Sequence, residues 1–523
     1  MKTLLDILLF AAMVFAMVIP VKHTLFIFQQ NRYEIGRMNA WLKENIWLNA
    51  AKSMIPLFLA AAGIILGVIP AICEYAAIIV CILLGLYGFK DEKTKTYIKP
   101  LVYTGRVKRQ IAVMAVLAAL WNLALILSDF YFAAPLSAYL MSWVLLYPMA
   151  GITAPVEAAV KESYLNDAKR ILKQRPDLIR IGITGSFGKT TTKNIVQSVL
   201  SERYNSLMTP ASYNTPMGIT RTIRELLKPI HQVFVCEMGA DHVGEISYLM
   251  DFVHPSIGIV TSIGPQHLNT FGSQENIIHE KMMEVEMLPE NGYAILNYDN
   301  EFIREYQIRS HVKRTTYGIQ NQDADYRAVN IVYSQTGSHF TVVHEDEEIE
   351  IETRLLGELN VLNILAAVAA ARYLKVDWHT IQRACRQMKQ VEHRLELKKI
   401  NGYRFIDDAF NSNPTGSAMA LNVLAMMPNH RYLVTPGMID LGERQNELNK
   451  HFGTLMKNRA DTVILVGEIQ TKPIYEGLQE SGFDMNNVIV MSRERDALTY
   501  IYQNASVQDT ILLENDLPDA FNH

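Results

Sequence analysis

Gly182-Ile183-Thr184-Gly185-Ser186-Phe187-Gly188-Lys189-Thr190-Thr191-Thr192-Lys193 is the stretch that decides the fold. An apolar run, Ile179 to Ile183, leads into it and a helical pattern leads out, so its glycines fall at a strand-to-helix turn. Backbone N–H groups at such a turn, with the helix amino terminus, cradle phosphate oxygens. Lys189 would reach the β- and γ-phosphates, and Thr190 would ligate Mg2+. The strict phosphate-loop spelling wants Gly five residues before Gly188, where this chain has Ile183. A glycine turn with a chance Gly-Lys-Thr is the plain alternative.

Outward from that turn, short apolar runs alternate with helical patterns. Val233 to Cys236, Ile257 to Thr261 and Ala294 to Leu296 read as further buried strands, with room between them for crossover helices. That rhythm implies a doubly wound α/β domain. Tyr326 to Glu352 switches to strict alternation about a Gln335-Thr336-Gly337-Ser338 turn and predicts an antiparallel hairpin, followed by an alanine-rich helix from Val361 to Leu374. From about Val391 a second series begins, with strands expected at Arg404 to Ile406, Tyr432 to Val434, Val463 to Val466, Val488 to Val490 and Ile511 to Leu513. Two α/β domains in tandem follow. Glu237 ends one strand, where a carboxylate can hold a metal beside bound phosphates. An ordinary strand-end acid is the alternative.

The front of the chain is different. Residues 1 to 160 carry 13 basic and 8 acidic side chains, net +5, whereas the remaining 363 carry 36 basic and 45 acidic, net −9. A basic, charge-poor front and an acidic, charge-rich back read as a membrane anchor joined to a soluble body, and neither has the basic excess of a nucleic-acid binder. Uncharged apolar runs at Met54 to Cys73, Ile111 to Ser128 and Phe130 to Val156 suit a hydrocarbon core. Leu4 to Val21 carries Asp6, and Tyr75 to Phe89 is short. A signal peptide is the rival for the first run, but no small-residue cleavage pattern follows it. Lys and Arg cluster at 22–53 and 90–110, and the alternate connections at Glu74 and Asp129 have none. Five spans with the amino terminus outside satisfy this pattern and leave everything after Val156 in the cytoplasm; three or four remain if the short run is re-entrant. Cys73, Cys81, Cys236 and Cys385 show no short paired spacing, so neither a disulfide framework nor a thiolate metal site is expected.

Across residues 178 to 500 the chain resembles the Mur ligase family, most of all its D-alanyl-D-alanine-adding branch. The resemblance rests on ordered matches: Thr184 to Thr191; Tyr213-Asn214-Thr215-Pro216 with Gly218; Glu237-Met238-Gly239-Ala240; His267-Leu268, then Phe271-Gly272-Ser273 and Lys281; Gly357 with Asn360 and Asn363; His393-Arg394; Asp407-Asp408-Ala409-Phe410-Asn411-Ser412-Asn413-Pro414; and Gly437-Met438-Ile439-Asp440-Leu441-Gly442-Glu443. It implies a central P-loop, doubly wound ATP-binding domain (161–390) and a Rossmann-like C-terminal ligase domain (391–523), behind the α-helical transmembrane region of about five spans (1–160) that the apolar runs predict.

The resemblance also implies roles. Gly185, Ser186, Gly188, Lys189, Thr190 and Thr191 would bind the phosphates of ATP. Thr190, Glu237, His267 and Lys281 would serve Mg2+, Lys281 matching a family lysine that is often carbamylated. Asn360 and Asn363 would face the adenine, Arg394 would approach the phosphates, and Asp408 would hold the ribose. Asn411 and Asn413 would support the linker, unless they merely form a turn before Pro414. Lys189, His267, Lys281 and Arg394 form the expected catalytic set. The implied reaction is ATP-driven activation of a carboxylate on a cell-wall precursor to an acyl phosphate, then attack by an amine such as D-alanyl-D-alanine. The apolar runs and the basic-residue pattern of the front, rather than the resemblance, predict the setting, a multi-pass membrane protein with its catalytic domains in the cytoplasm. A ligase for another polymer such as γ-linked glutamate, or a non-catalytic nucleotide-binding scaffold, are the alternatives. Two departures stand out: membrane segments replace the soluble domain that holds the uridine nucleotide, and the Lys-Gly-Ser usual near the family's carboxy terminus is here Leu512-Leu513-Glu514-Asn515-Asp516-Leu517-Pro518. Leu359 also stands where the family often has His.

Overall fold

The computed structural model describes residues 2–43, 45, 70–95, 97, 100–410, 412–439 and 441–515. Residues 54–69 of the expected Met54 to Cys73 span lie outside these, as do Asn411, Asp440 and everything after Asn515. The chain separates into two compact units, Met1–Ser163 and Tyr164–His523, with the boundary inside the helix Leu146–Lys173.

In the first unit, helices occupy Lys2–Gln30, Pro70–Thr94, Gly105–Leu127 and Ala134–Val144, then the start of Leu146–Lys173. Among the described residues, three stretches, Lys2–Gln30, Gly105–Leu127 and Leu140–Lys173, are long and apolar enough to cross a membrane. The run Phe130 to Val156 is not one helix: a 3-10 turn at Tyr131–Ala133 and a break at Leu145 divide it. Leu9, Met13, Met17, Phe28 and Met114 are buried in the bundle, while Leu4, Ile7, Ile82, Leu86, Leu120 and Leu127 point outward. Apolar side chains all round a helix are the pattern of a membrane span or of a helix inside a large core. The ends of the helices are tied by charge. Lys2 pairs with Asp129 at 3.2 Å at one end, and Lys22 with Glu92 at 2.5 Å and Arg109 with Glu157 at 2.7 Å elsewhere.

In the second unit a nine-stranded sheet comprises β1 (Ile179–Thr184), β2 (Ser206–Met208), β3 (Val233–Glu237), β4 (Ile257–Val260), β5 (Tyr293–Asn297), β6 (Lys313–Gly318), β7 (Tyr326–Ser334), β8 (Gly337–His344) and β9 (Glu347–Thr353). Their order is β2-β3-β1-β4-β5-β6-β7-β8-β9. The first seven run parallel, and β7 to β9 form an antiparallel meander. The expected hairpin is thus three strands, because a second turn at Glu345, with left-handed φ of 51°, returns the alternating Glu347–Thr353 segment to the sheet. Both faces of the parallel part are covered. One packs Ile195, Val196, Val199 and Leu200 of the helix Lys189–Ser201 against the alanine-rich helix Glu358–Tyr373, which is buried from Asn360 to Ala371. The other packs Leu165, Ala168 and Leu172 with the helices Pro216–Glu225, Glu245–Val253 and Gln274–Glu286. Strands covered on both sides read as continuous apolar runs, which is why β1, β3 and β4 stand out in the sequence.

The second sheet holds β10 (Glu396–Ile400), β11 (Tyr403–Asp408), β12 (Arg431–Thr435), β13 (Thr462–Val466), β14 (Val488–Met491) and β15 (Thr510–Glu514), in the order β10-β11-β15-β12-β13-β14. All pairs are parallel except β10 with β11.

Candidate active site

The loop after β1 is built by glycines whose replacement would strain it. Gly188 has φ of 81°, and a Cβ there would lie 3.1 Å from Asn363 Oδ1; at Gly185, with φ of 146°, a Cβ would come within 2.2 Å of Thr261 Oγ1. Gly188 caps the helix Lys189–Ser201, whose free amides face the turn. Ile183 is fully buried in β1, so the loop proper begins at Gly185, and a glycine at 183 has no part to play in it. Ser186 Oγ is pinned between the carbonyl and the amide of Gly264. Lys189 Nζ folds back to donate to the carbonyls of Gly185 (2.6 Å) and Ser186 (3.1 Å). Burial lowers its pKa to about 8, which anionic phosphate oxygens would reverse.

Glu237, at the end of β3 beside β1, is the hub of the site. Its Oε1 accepts from Thr190 Oγ1 at 3.1 Å and from Asn214 Nδ2 at 3.0 Å, and its Oε2 pairs with the fully buried Lys193 at 3.1 Å. Lys193 also donates to the Ala211 carbonyl. Sequence reasoning gives no role to Lys193 or Asn214, although Asn214 lies in a matched motif and Lys193 two residues beyond one. Their partners are distant in the chain, so no spacing rule points to them. The Thr190 hydroxyl and the Glu237 carboxylate together form a hard-oxygen donor set of the kind Mg2+ prefers.

The second sheet supplies the opposite wall. Arg394 follows the first sheet's last helices, flanked by His393 and Leu395, both in left-handed conformation with φ of 56° and 49°. Such strain in a non-glycine pair persists only where the surroundings fix it. Here His393 Nδ1 meets Asp407 Oδ2 at 2.8 Å, and the Leu395 amide donates to Asp408 Oδ1 at 3.1 Å. Arg394 donates to the Phe410 carbonyl at 2.7 Å and lies 4.4 Å from its ring centroid. Asn413 caps the helix Pro414–Ala425 through the Gly416 amide, the turn-forming alternative.

These residues meet around a partly open cavity lined by Ser186, Gly188, Lys189, Thr190, Thr191, Glu237, Asn360, Arg394 and Asp408, joined by Ser412, Ser417 and Glu514. Four expected residues lie off its lining, the first of them Gly185 at the start of the loop. Asn363 accepts from Thr192 Oγ1 at 3.0 Å behind the loop. His267 stands in left-handed conformation at the start of the short helix Leu268–Phe271. Lys281 is buried on the helix Gln274–Glu286, its Nζ 3.0 Å from the Ala240 carbonyl, and burial with nearby Lys189 lowers its pKa to about 7.

Comparison with known proteins places this geometry. Residues 183–371 match the Mur ligase middle domain and residues 393–514 the Mur ligase, glutamate ligase domain. The UDP-N-acetylmuramoyl-tripeptide--D-alanyl-D-alanine ligase of Bacillus subtilis (strain 168) is 30% identical over 339 residues, covering 64% of this chain and 72% of that protein. The chain belongs to the Mur ligase family. Its fellow members are ATP-dependent ligases that form carbon–nitrogen bonds. The ligase of the same name from Escherichia coli (strain K12) is 30% identical, and this Mur ligase spans 64% of it, just under two thirds. Among solved structures, MurF from Acinetobacter baumannii is 26% identical with a TM-score of 0.62, covering 69% of this chain and 78% of that one. MurF from Thermotoga maritima in complex with ADP shares the fold at 23% identity, with a TM-score of 0.61 over 68% of this chain and 80% of that one.

Proposed function

We propose that this Mur ligase joins a carboxylate-bearing cell-wall precursor, of the UDP-N-acetylmuramoyl-tripeptide kind on which its relatives are named, to an amine such as D-alanyl-D-alanine. The observation that carries the reading is the single cavity in which Lys189, Thr190 and Glu237 of one α/β domain face Arg394 and Asp408 of the other. The loop amides from Gly185 to Lys189 and the Lys189 ammonium hold the nucleotide phosphates, and Arg394 approaches them from the opposite wall. Asn360 lies on the nucleotide side and Asp408 takes the ribose hydroxyls. The substrate carboxylate attacks the γ-phosphorus, ADP leaves, and the amine displaces phosphate from the resulting acyl phosphate to give the amide. Lys189 offsets the charge that builds on the transferring phosphoryl group. Mg2+ held by Thr190 and Glu237 would add Lewis-acid charge neutralisation there. His267 and a carbamylated Lys281 would serve a second ion; a lysine with a pKa near 7 has the neutral amine that carbamylation needs. Drawing the site from two domains makes their closure a condition of catalysis.

The first unit is a multi-pass membrane domain in this reading, oriented with the Lys22 and Lys90 to Arg109 segments in the cytoplasm. It stands where its relatives carry a soluble substrate-holding domain, so the precursor is met at the membrane surface. ADP release by the detergent-solubilised chain, with the muramoyl tripeptide and D-alanyl-D-alanine present, tests the assignment. Lys189→Ala is expected to cut that rate by about 100-fold or more while leaving the protein in the membrane fraction. An undiminished rate in the variant would sink the reading.

A further inference from the structure

Lys193 takes no part in the steps proposed above, yet it is the cation held closest to the site's metal-binding acid. It lies one turn after Lys189 on the helix Lys189–Ser201 and is 0% exposed, although a lysine is almost never fully buried unless it is paired. Its partner is Glu237, itself 1% exposed: the ammonium stands 3.1 Å from Oε2 and donates also to the Ala211 carbonyl. The other carboxylate oxygen, Oε1, accepts from Thr190 Oγ1 at 3.1 Å and Asn214 Nδ2 at 3.0 Å. Both oxygens are therefore engaged by donors of the protein itself. The Glu237 charge is balanced at contact distance, in surroundings where charges are felt far more strongly than in water. Among the described residues Glu237 belongs to no cluster of three or more carboxylate, imidazole or thiolate groups; the one such cluster is Asp241, His242 and Glu245. Lys189 and Arg394 add two further cations to the cavity wall.

We propose that Lys193 is a positioning residue that withholds Glu237 from a divalent ion until nucleotide phosphates arrive, by balancing the carboxylate's charge and occupying its Oε2. This rests on the ligase reading above, which puts Mg2+ at Thr190 and Glu237, and deepens it. Mg2+ gives up its waters reluctantly and is held through one or two carboxylates together with phosphate oxygens. Here the protein offers one carboxylate, already balanced, and the hydroxyl of Thr190, which carries no charge and points its proton at that same carboxylate. The negative charge that the ion lacks is what the phosphates bring. The Lys193 ammonium is not free to swing aside, because it is also tied to Ala211, a residue in left-handed conformation with φ of 43°. With Oε2 so held, Glu237 has Oε1 alone to offer, which suits Mg2+ better than the two-oxygen grip that carboxylates often give Ca2+.

The test titrates the full-length chain in detergent with Mn2+ in place of Mg2+, without nucleotide, and reads the free ion by electron paramagnetic resonance. Glu237→Gln gives the background from ions held elsewhere, as at Asp241, His242 and Glu245. Wild type should bind no more Mn2+ than Glu237→Gln does. Lys193→Gln, which keeps a donor but no charge, and Lys193→Met should each bind an ion about 10-fold or more tighter than wild type, the size of effect that a neighbouring charge has on an ionising group. That gain should vanish when Glu237→Gln is added, and Lys193→Arg, which keeps the charge, should match wild type. An ion on wild type that Glu237→Gln removes overturns the proposal, a comparison that holds even where the neutral variants fail to fold. So does a gain that appears equally in Lys193→Arg. Unchanged ion binding in folded Lys193→Gln, with only a lowered melting temperature, overturns it too and leaves Lys193 a structural brace. The titration involves no turnover, so the ligase reading is tested apart from it. Wild type with ATP, Mg2+, the muramoyl tripeptide and hydroxylamine, which displaces phosphate from an acyl phosphate, should yield a hydroxamate. Absence of hydroxamate would sink the ligase reading, and with it the part that nucleotide plays in the proposal.

Discussion

Lys281 shows what single residues of this site can and cannot reveal in sequence. Its match to the family lysine is legible, but the depressed pKa behind its chemistry depends on burial and on Lys189, which lies 92 positions earlier. A carbamate forms only on the neutral amine, so the modified fraction should fall as pH drops below about 7. ADP release in carbon-dioxide-depleted buffer is expected to decline, more at pH 6 than at pH 8, and to recover on adding bicarbonate. Lys281→Arg, which stays protonated, should show no bicarbonate response, and a wild-type rate indifferent to bicarbonate would remove carbamylation from the mechanism. Gly188 was legible as a turn glycine, and its φ of 81° supplies the reason. Gly188→Ala is expected to cost about 1–2 kcal/mol of stability, read by thermal unfolding, and to weaken nucleotide binding because the new methyl crowds Asn363. Lys193, Asn214 and Glu514 could not be read for role, since each acquires its meaning from a partner far along the chain.

Among elements, the strands that sequence exposes are those covered on both faces. β2 is three residues long, and β6 (Lys-Arg-Thr-Thr-Tyr-Gly) and β10 (Glu-Leu-Lys-Lys-Ile) are polar, so no apolar run or alternation announces them. The helix Gln274–Glu286 hides a more consequential feature. Glu284, fully buried with neither carboxyl oxygen hydrogen-bonded, packs against Gly182 of β1 so closely that a Cβ at 182 would lie 1.9 Å from its Oε1. Burial raises its pKa from 4.5 to about 8, although Lys281 pulls the other way. A carboxyl whose folded pKa exceeds its unfolded pKa contributes most below the unfolded value and loses that contribution as pH rises through the folded one. Glu284→Gln, which cannot ionise, should therefore gain stability relative to wild type between pH 4.5 and 8. Melting temperatures of the two proteins at pH 5 and pH 8 check this, and a difference independent of pH would mean that Glu284 does not titrate there.

At the scale of the whole molecule, the charge division first seen in composition coincides with a physical one. The net +5 front gives helices whose outward faces are apolar, and the net −9 back gives two sheets whose cores are closed by their own helices. The helix Leu146–Lys173 crosses that division, but Leu165, Ala168 and Leu172 are buried against Leu178 and Phe252 in the second unit's core. A chain beginning at Tyr164 therefore keeps every residue of both sheets, their cores and the cavity. Such a truncation is expected to remain in the supernatant after ultracentrifugation without detergent and to unfold cooperatively. Its ATP-dependent hydroxamate formation should persist with a raised KM for the carboxylate, because the segment standing in place of the relatives' substrate-holding domain is gone. The full chain should instead pellet with membranes and resist extraction by carbonate at high pH. Full-length protein in the soluble fraction would refute the membrane reading of Met1–Ser163. A truncated chain that aggregates would show that the second unit needs the first to fold.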